Sequence, residues 1–301
     1  MPPIRPYHSV VLVKQVPDTR NVTGEVMTAD GTMNRSALPA IFNPEDLNAL
    51  EMALNFKERY GGRVTVLSMG PMQAANVLRE ALYRGADQVI LLSDRKFAGA
   101  DTQATSYTLK CAVRKLGDVD LVFCGRQAID GDTAQVGPQV AEKLHIPQIT
   151  YAESIVEMDE DGIIVNRAFD LGSELVKCTL PCLLTVVGSA NQPRPASARK
   201  QIMYKLAALP AEYDKLLEKW PEFGTKEALE AYLSEHNLKI QMWSAADLNV
   251  DEAQLGLGGS PTQVYKINYV VLETTESKEI PATPEGIQSL VQELIQEYIV
   301  G

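Results

Sequence analysis

Residues 118–144 constrain the chain more than any other stretch. Residues 121–124 form a four-residue apolar run between acids and Gly125, the pattern of a strand buried on both faces of a parallel sheet. Residues 125–133 are polar and carry two glycines and two aspartates. From 134 onward the apolar pattern returns at helical spacing, with Val136, Val140, Ala141 and Leu144 on one face. Strand, glycine-bearing loop and helix, in that order, present free backbone N–H groups to a phosphate. Gly131 lets the backbone approach a ligand closely, and Asp132 or Thr133 can cap the helix. An ordinary strand–helix turn capped by either residue fits the same spacing equally well.

The rest of the chain repeats the alternation. Residues 9–13 read as a first strand, followed by Lys14-Gln-Val-Pro17-Asp18. Lys14, standing after a strand, reads as a solvated end. Residues 20–42 suggest a β-hairpin with Asp30-Gly31 at its turn. Asn43-Pro44-Glu45-Asp46 is a strong helix start, with Asn as cap, Pro in the first turn and acids at the positive end of the dipole. Strands at 63–68 and 88–92 and helices at 72–84 and 100–116 follow. Met69-Gly70-Pro71 is a sharp turn at a strand's carboxyl end, where open α/β sheets bind ligands. Four strand–helix repeats imply a mostly parallel sheet with right-handed crossovers. Beyond 144, the pattern predicts a short strand at 148–151, a hairpin of 154–158 and 163–167, a returning strand at 174–179, and a last core strand at 180–187.

Composition excludes several classes. A net charge of −11 over 301 residues argues against nucleic acid or an anionic membrane as partner, and favours a basic protein. Four cysteines without a disulfide framework suit a reducing compartment, and Cys178 and Cys182 read as small buried residues. Three scattered histidines lack metal-ligand spacing. There is no presequence pattern and no membrane-length apolar run, so a cytoplasmic protein is expected. No Ser-Gly-Gly type phosphate loop follows the first strand, which argues against an ATP-using enzyme.

The run Cys124-Gly-Arg-Gln-Ala-Ile-Asp-Gly-Asp-Thr-Ala-Gln-Val-Gly-Pro138 closely resembles the nucleotide-binding segment of electron transfer flavoprotein beta subunits. The Lys-x-Val-Pro-Asp segment at 14–18, Asn43-Pro44, the apolar strand after Pro181, Asn191-Gln-Pro-Arg194 and Gly259-Ser-Pro-Thr262 match that family in order. The resemblance implies a doubly wound, mostly parallel α/β fold of the Rossmann-like, adenine-nucleotide-binding type, with a C-terminal arm that wraps an alpha subunit. The expected division is a nucleotide-binding domain over 1–195, a helical insertion over 196–245 and the arm with a final helix over 246–301. Simple carriers of the family bind AMP in this subunit. The electron-bifurcating branch binds FAD there, oxidises NADH, and sends one electron to the alpha-subunit FAD and the other to ferredoxin or flavodoxin. Gly131, where simple carriers have a bulkier side chain, favours the FAD form.

The implied cofactor contacts are Leu12 and Asn43, Pro44, Glu45 and Asp46 around the adenosine; Met69 and Gly70 beside flavin or ribose; Asp101, Thr102 and Thr105 at a helix start; and the cradle Gly125, Arg126, Gln127, Ala128, Ile129, Asp130, Gly131, Asp132, Thr133, Ala134, Gln135 and Val136. Asp130 and Asp132 cannot attract a polyanion by charge, so capping or ribose contacts are expected of them. No catalytic acid or base and no metal is implied. The expected electron partner is an acyl-CoA dehydrogenase-type or membrane oxidoreductase. The chain departs from the family at about 207–245, where Tyr213, Leu216, Leu217 and Trp220, and then Leu229, Tyr232 and Leu233, mark two amphipathic helices either side of Gly224-Thr225. That segment leaves the electron partner unassigned. A stand-alone adenine-nucleotide sensor is the rival of another class, and the long arm argues against it.

Overall fold

The computed structural model describes residues 6–18, 39–159, 161–263, 278–297 and 299. The chain falls into two compact units, residues 1–265 and 266–301. The first is built on a nine-stranded sheet. Its strands are β1 (His8–Val13), β4 (Arg63–Met69), β5 (Gln88–Leu92), β6 (Leu121–Gly125), β7 (Gln148–Asp159), β8 (Gly162–Phe169), β9 (Gly172–Cys178), β10 (Cys182–Val186) and β11 (Gln241–Trp243). The order across the sheet is β11-β5-β4-β1-β6-β10-β7-β8-β9. All pairs from β11 to β7 are parallel, and β8 and β9 are antiparallel. Two short strands, β2 (Gln15–Pro17) and β3 (Ala40–Phe42), pair antiparallel beside it. The hairpin turn expected at Asp30-Gly31 lies outside the described residues.

Alternation within each strand sorts side chains onto two faces. Val11, Val13, Val64, Val66, Phe123 and Leu184 point to the face covered by α1 (Pro44–Tyr60) and α2 (Ala75–Arg84). Val10, Leu12, Leu67, Ile90, Val122 and Leu183 point to the face covered by α3 (Thr102–Leu116) and α4 (Val136–Leu144). Both faces are dry, which is why the central strands are apolar throughout. This is the doubly wound α/β architecture that the strand–helix alternation requires.

One local expectation changes, and two placements are new. The strand at 148–151 and the first hairpin arm are one twelve-residue strand, β7, whose far half pairs with β8 after leaving β10. The turn expected between the hairpin arms falls before Gly162, which has φ 145° and a Cβ position 2.1 Å from the Cys178 carbonyl oxygen, where only glycine fits. The core strand expected at 180–187 is β10, which inserts between β6 and β7. Residues 241–243, unassigned in the sequence reading, form the edge strand β11 against β5.

Helices α5 (Ala198–Tyr204), α6 (Tyr213–Lys219) and α7 (Lys226–Glu235) follow the sheet. Thr225 caps α7, accepting from Ala228 N at 3.2 Å. Ala208, Tyr213, Leu229, Leu233 and Leu238 make a small separate core between α6 and α7. Arg79 of α2 holds this layer, donating to the Ala207 carbonyl at 2.8 Å and pairing with Glu212. The second unit contains α8 (Pro284–Gln296), capped by Thr283, with Ile287, Val291 and Ile295 exposed. The extended arm expected at 264–273 lies outside the described residues. No helix among the described residues is long and apolar enough to cross a membrane.

Phe123→Ala, emptying a fully buried site in the central strand, should cost about 3–5 kcal/mol in urea unfolding.

Candidate functional site

The chain runs outward from β1 through β4 to β5, then crosses back to β6 on the other side of β1. The reversal leaves a crevice at the carboxyl ends of β1 and β6, the place where open α/β sheets take ligands. Lys14 follows β1, Gly125 ends β6, and the start of α1 lies between them.

Asp46, in the first turn of α1, ties these ends together. Its Oδ2 accepts from Lys14 N at 2.8 Å and its Oδ1 from Gly125 N at 2.9 Å. A Cβ on residue 125 would lie 2.6 Å from Asp46 Oδ1 and 2.8 Å from Asp46 N, so glycine is required there for close approach. Burial pushes the Asp46 carboxyl up to about 7, against the amide hydrogen bonds from Lys14 and Gly125, which favour the charged form. Burial likewise pushes the neighbouring Cys124 thiol up, so it is an unreactive packing residue. All four cysteines are free and buried.

The two residues beside Asp46 hold the loop itself. Glu45 accepts from Gln127 N at 2.9 Å and pairs with Arg126 at 3.1 Å; the Arg126 guanidinium also lies 5.9 Å from the Tyr151 ring centre. Asn43 was expected to cap α1 with its side chain, and it does not. Its amide instead donates to the Gln127 carbonyl at 2.9 Å and accepts from Ile129 N at 3.1 Å. The helix start gives up a side-chain cap so that Asn43 can satisfy two backbone groups of the loop.

Residues 128–132 close a turn, with Gly131 N and Asp132 N both donating to the Ala128 carbonyl at 3.3 and 2.9 Å. Neither Asp132 nor Thr133 caps α4, as the spacing allowed; Gln135 occupies the cap position and makes no side-chain cap. The Asp132 carboxylate accepts from Gln127 Nε2 at 2.9 Å. Lys14 is exposed, as the solvated-end reading predicts, and its ammonium also pairs with Asp130 at 2.7 Å, which neutralises the loop's inner acid.

The consequence is a run of open amides. Asp132 and Ala134 have φ of 50° and 52°, a left-handed conformation uncommon for residues with side chains, and Gln135 is right-handed. Alternation of this kind turns successive N–H groups toward one side, forming an anion-binding concavity. The N–H groups of Thr133, Ala134, Gln135, Val136 and Gly137 find no acceptor among the described residues. They lie at the positive end of α4. A Cβ built on Gly131 meets nothing within 4 Å, so the loop is open beside it. Gly137 has a different reason: a Cβ there would lie 2.7 Å from Cys124 Sγ and 2.9 Å from Thr185 Cγ2, and its absence lets α4 approach β6 and β10. These residues fit a phosphate-bearing group.

The remaining expected contacts divide. Thr102, at the start of α3, donates its hydroxyl to Gln135 Oε1 at 2.9 Å, and Thr105 sits in the same turn. Asp101 caps α3, and its second oxygen accepts from Thr262. Met69 ends β4 and Gly70 follows it, with Gly70 N donating to Leu92 O at 3.0 Å. Leu12 is 5% exposed and packs with the core under α3 and α4. Pro44 opens α1 beside Asn43. Lys14, Gly137, Tyr151 and Thr262 were not foreseen as parts of this network; Lys14 had the one readable signal, a charge directly after the first strand. Among the described residues no cluster of acidic, histidine or cysteine side chains could hold a metal ion.

An α/β protein with its loop cradle at the switch point is thus defined by geometry alone. Comparison with known proteins narrows the class. Residues 30–210 match the family model of the electron transfer flavoprotein domain. The chain is 44% identical over 292 residues to an electron transfer flavoprotein subunit beta of Clostridium acetobutylicum, covering 97% of this chain and 96% of that one. It is 42% identical over 291 residues to the subunit of the same name in Thermoanaerobacterium thermosaccharolyticum, covering 97% and 99%. It is 43% identical over 258 residues to the caffeyl-CoA reductase–Etf complex subunit CarD of Acetobacterium woodii, covering 85% and 86%. The chain belongs to the electron transfer flavoprotein beta-subunit family.

Asp46 sets a pH dependence of known sign. Its folded value of about 7 lies above an unfolded value of about 3.9, so its contribution to stability is full below the lower value and is lost as pH rises through the upper one. Asp46→Asn removes this titration and turns an amide NH2 toward a backbone donor. The wild-type advantage over Asp46→Asn in urea titrations should therefore narrow between about pH 4 and about pH 7.

Proposed function

We propose that this chain is the beta subunit of a heterodimeric electron transfer flavoprotein, acts in the cytoplasm, and holds FAD at the 125–137 loop. The observation that carries this reading is the run of five open amides, Thr133 to Gly137, beside the unobstructed space at Gly131. Those amides, with the Thr133 hydroxyl, would receive the phosphates; the α4 dipole adds to their attraction. Asn43, Pro44, Glu45 and Asp46 hold the loop at the adenosine side, with Leu12 behind them. Lys14 cancels the charge of Asp130, which would otherwise repel a polyanion. Met69, Gly70, Thr102 and Thr105 border the same sheet edge. Bound FAD supplies reversible electron and hydride chemistry, so no side chain of this chain has to serve as acid or base.

Electrons would enter from NADH and leave singly, one to the alpha-subunit FAD and one to ferredoxin or flavodoxin. A partner of the acyl-CoA dehydrogenase type, or a membrane oxidoreductase, would complete the route; the similarity to a subunit of a caffeyl-CoA reductase complex supports the former. The second reading is a simple carrier with structural AMP, since the same amides would also hold a single phosphate.

Nucleotides released by denaturing the co-expressed heterodimer decide between these readings. Two FAD per heterodimer are expected; one FAD with one AMP would leave a simple carrier, and no nucleotide in this subunit would overturn the site. A substitution gives an independent check. Gly131→Leu should leave unfolding by urea within about 0.5 kcal/mol of wild type, because a Cβ at this position meets nothing within 4 Å. The same change should weaken FAD binding by about tenfold or more in fluorescence titration while sparing AMP.

A further inference from the structure

Two rows of polar side chains meet between α3 and α4. Thr102 and Ser106 stand four apart on α3, and Gln135, Gln139 and Lys143 stand four apart along α4, from its cap position to its last turn. That spacing keeps each row on one side of its helix. The hydrogen bonds between the rows run in one direction. Lys143 Nζ donates to Ser106 Oγ at 2.9 Å, and Ser106 Oγ donates to Gln139 Oε1 at 2.9 Å. Gln139 Nε2 donates to Thr102 Oγ1 at 3.3 Å, and Thr102 Oγ1 donates to Gln135 Oε1 at 2.9 Å. Each member accepts from the one before it and donates to the next, and donors linked in this way polarise one another.

The two ends of the chain of bonds differ. Lys143 Nζ also donates to Gln103 Oε1 at 2.8 Å, and no carboxylate pairs with it among the described residues. Burial holds its ammonium below the usual lysine range; Asp101 and Glu142 act against this, and Lys110 acts with it. Ser106 is fully buried, with the Gln103 carbonyl at 3.0 Å as a second acceptor for its hydroxyl. At the other end Thr102 holds Gln135 Oε1, and Gln135 Nε2 has no acceptor among the described residues. That nitrogen belongs to the residue whose backbone N–H is the third of the five open amides.

We propose that Lys143 is a positioning residue which, through Ser106, Gln139 and Thr102, aims Gln135 Nε2 at the open amides as a side-chain donor to the phosphate-bearing ligand. Two helical turns separate Lys143 from Gln135, roughly 12 Å along the axis, so Lys143 acts on the ligand through the row and not by contact. Thr102, expected as a cofactor contact, then serves inside the row. The ligand role rests on the proposed nucleotide reading; the row itself does not.

Titration of the co-expressed heterodimer, freed of bound nucleotide, with FAD and with inorganic pyrophosphate tests this. The side-chain amide NMR signals of Gln135 in the full chain give a second readout. Gln135→Leu and Lys143→Met should each weaken both ligands by about threefold to tenfold. The double variant should bind no more weakly than Gln135→Leu alone, because both changes break one row. Thr102→Val should match Lys143→Met, and Thr102→Ser, which keeps the hydroxyl, should bind as wild type. The Gln135 amide signals should shift in Lys143→Met and Thr102→Val and stay in place in Thr102→Ser. Additive losses in the double variant would make Lys143 a helix-end charge that acts by its field alone, and would overturn the proposal. Gln135 signals indifferent to Lys143→Met overturn it as well, whether or not a nucleotide binds. A wild-type heterodimer that takes neither FAD, AMP nor pyrophosphate sinks the proposed function and the ligand role of Gln135, and the amide signals still decide the row.

Discussion

The hydrogen bonds of one buried carboxylate organise the crevice. Asp46 is 6% exposed and receives the backbone N–H that follows β1 and the N–H that ends β6. The segments leaving those two parallel strands part at this point, and their ends would each leave an unsatisfied donor. A single acid in the first turn of α1 satisfies both and fixes the helix start between them. Burying it carries a desolvation cost, visible in its raised affinity for a proton. The loop beyond β6 then hangs on the neighbouring residues: Glu45 at Gln127, and Asn43 at Gln127 and Ile129.

That division of labour explains why the loop can leave its later amides open. Residues 125–132 are held by α1, Lys14 and their own turn, so the protein has no need to cap α4. Left-handed backbone at Asp132 and Ala134 costs free energy at two residues that have side chains. Such strain persists only where the surroundings enforce it, and here the packing of Gly137 on Cys124 and Thr185 fixes the far end. The result is a run of open amides held by the protein's own contacts, and in the proposed reading these would receive a phosphate without a large ordering penalty.

Away from the crevice, the fold spends its remaining polypeptide on edges. β11 covers β5 at one side of the sheet, and the layer holding Tyr213, Leu229 and Leu233 packs on its own small core. This layer meets α2 through Arg79, at the Ala207 carbonyl and Glu212. The opposite edge is β9, where Leu171 and Leu175 are exposed. Dry central strands are what a sheet covered on both faces demands.

The sequence by itself determined the alternation of strand and helix, the apolar central strands, and the loop with its family. Those follow from local periodicity and from a long unbroken motif, both of which survive in one dimension. Helices α6 and α7 were also legible, because Tyr213, Leu216 and Leu217 repeat at helical spacing and Thr225 is a strong cap. Only the tertiary structure decided what the loop residues do. Asn43 reads as a cap because its neighbours Pro44 and Glu45 are a helix start, but its partners lie more than eighty residues away. Lys14 and Asp130 meet across 116 positions, and Asp101 and Thr262 across 161. The place of β10 between β6 and β7, and the pairing of β11 with β5, likewise have no local trace. A side chain's partner depends on strand order, and strand order is set by how the two apolar faces are covered, a property of the whole sheet rather than of any segment of it.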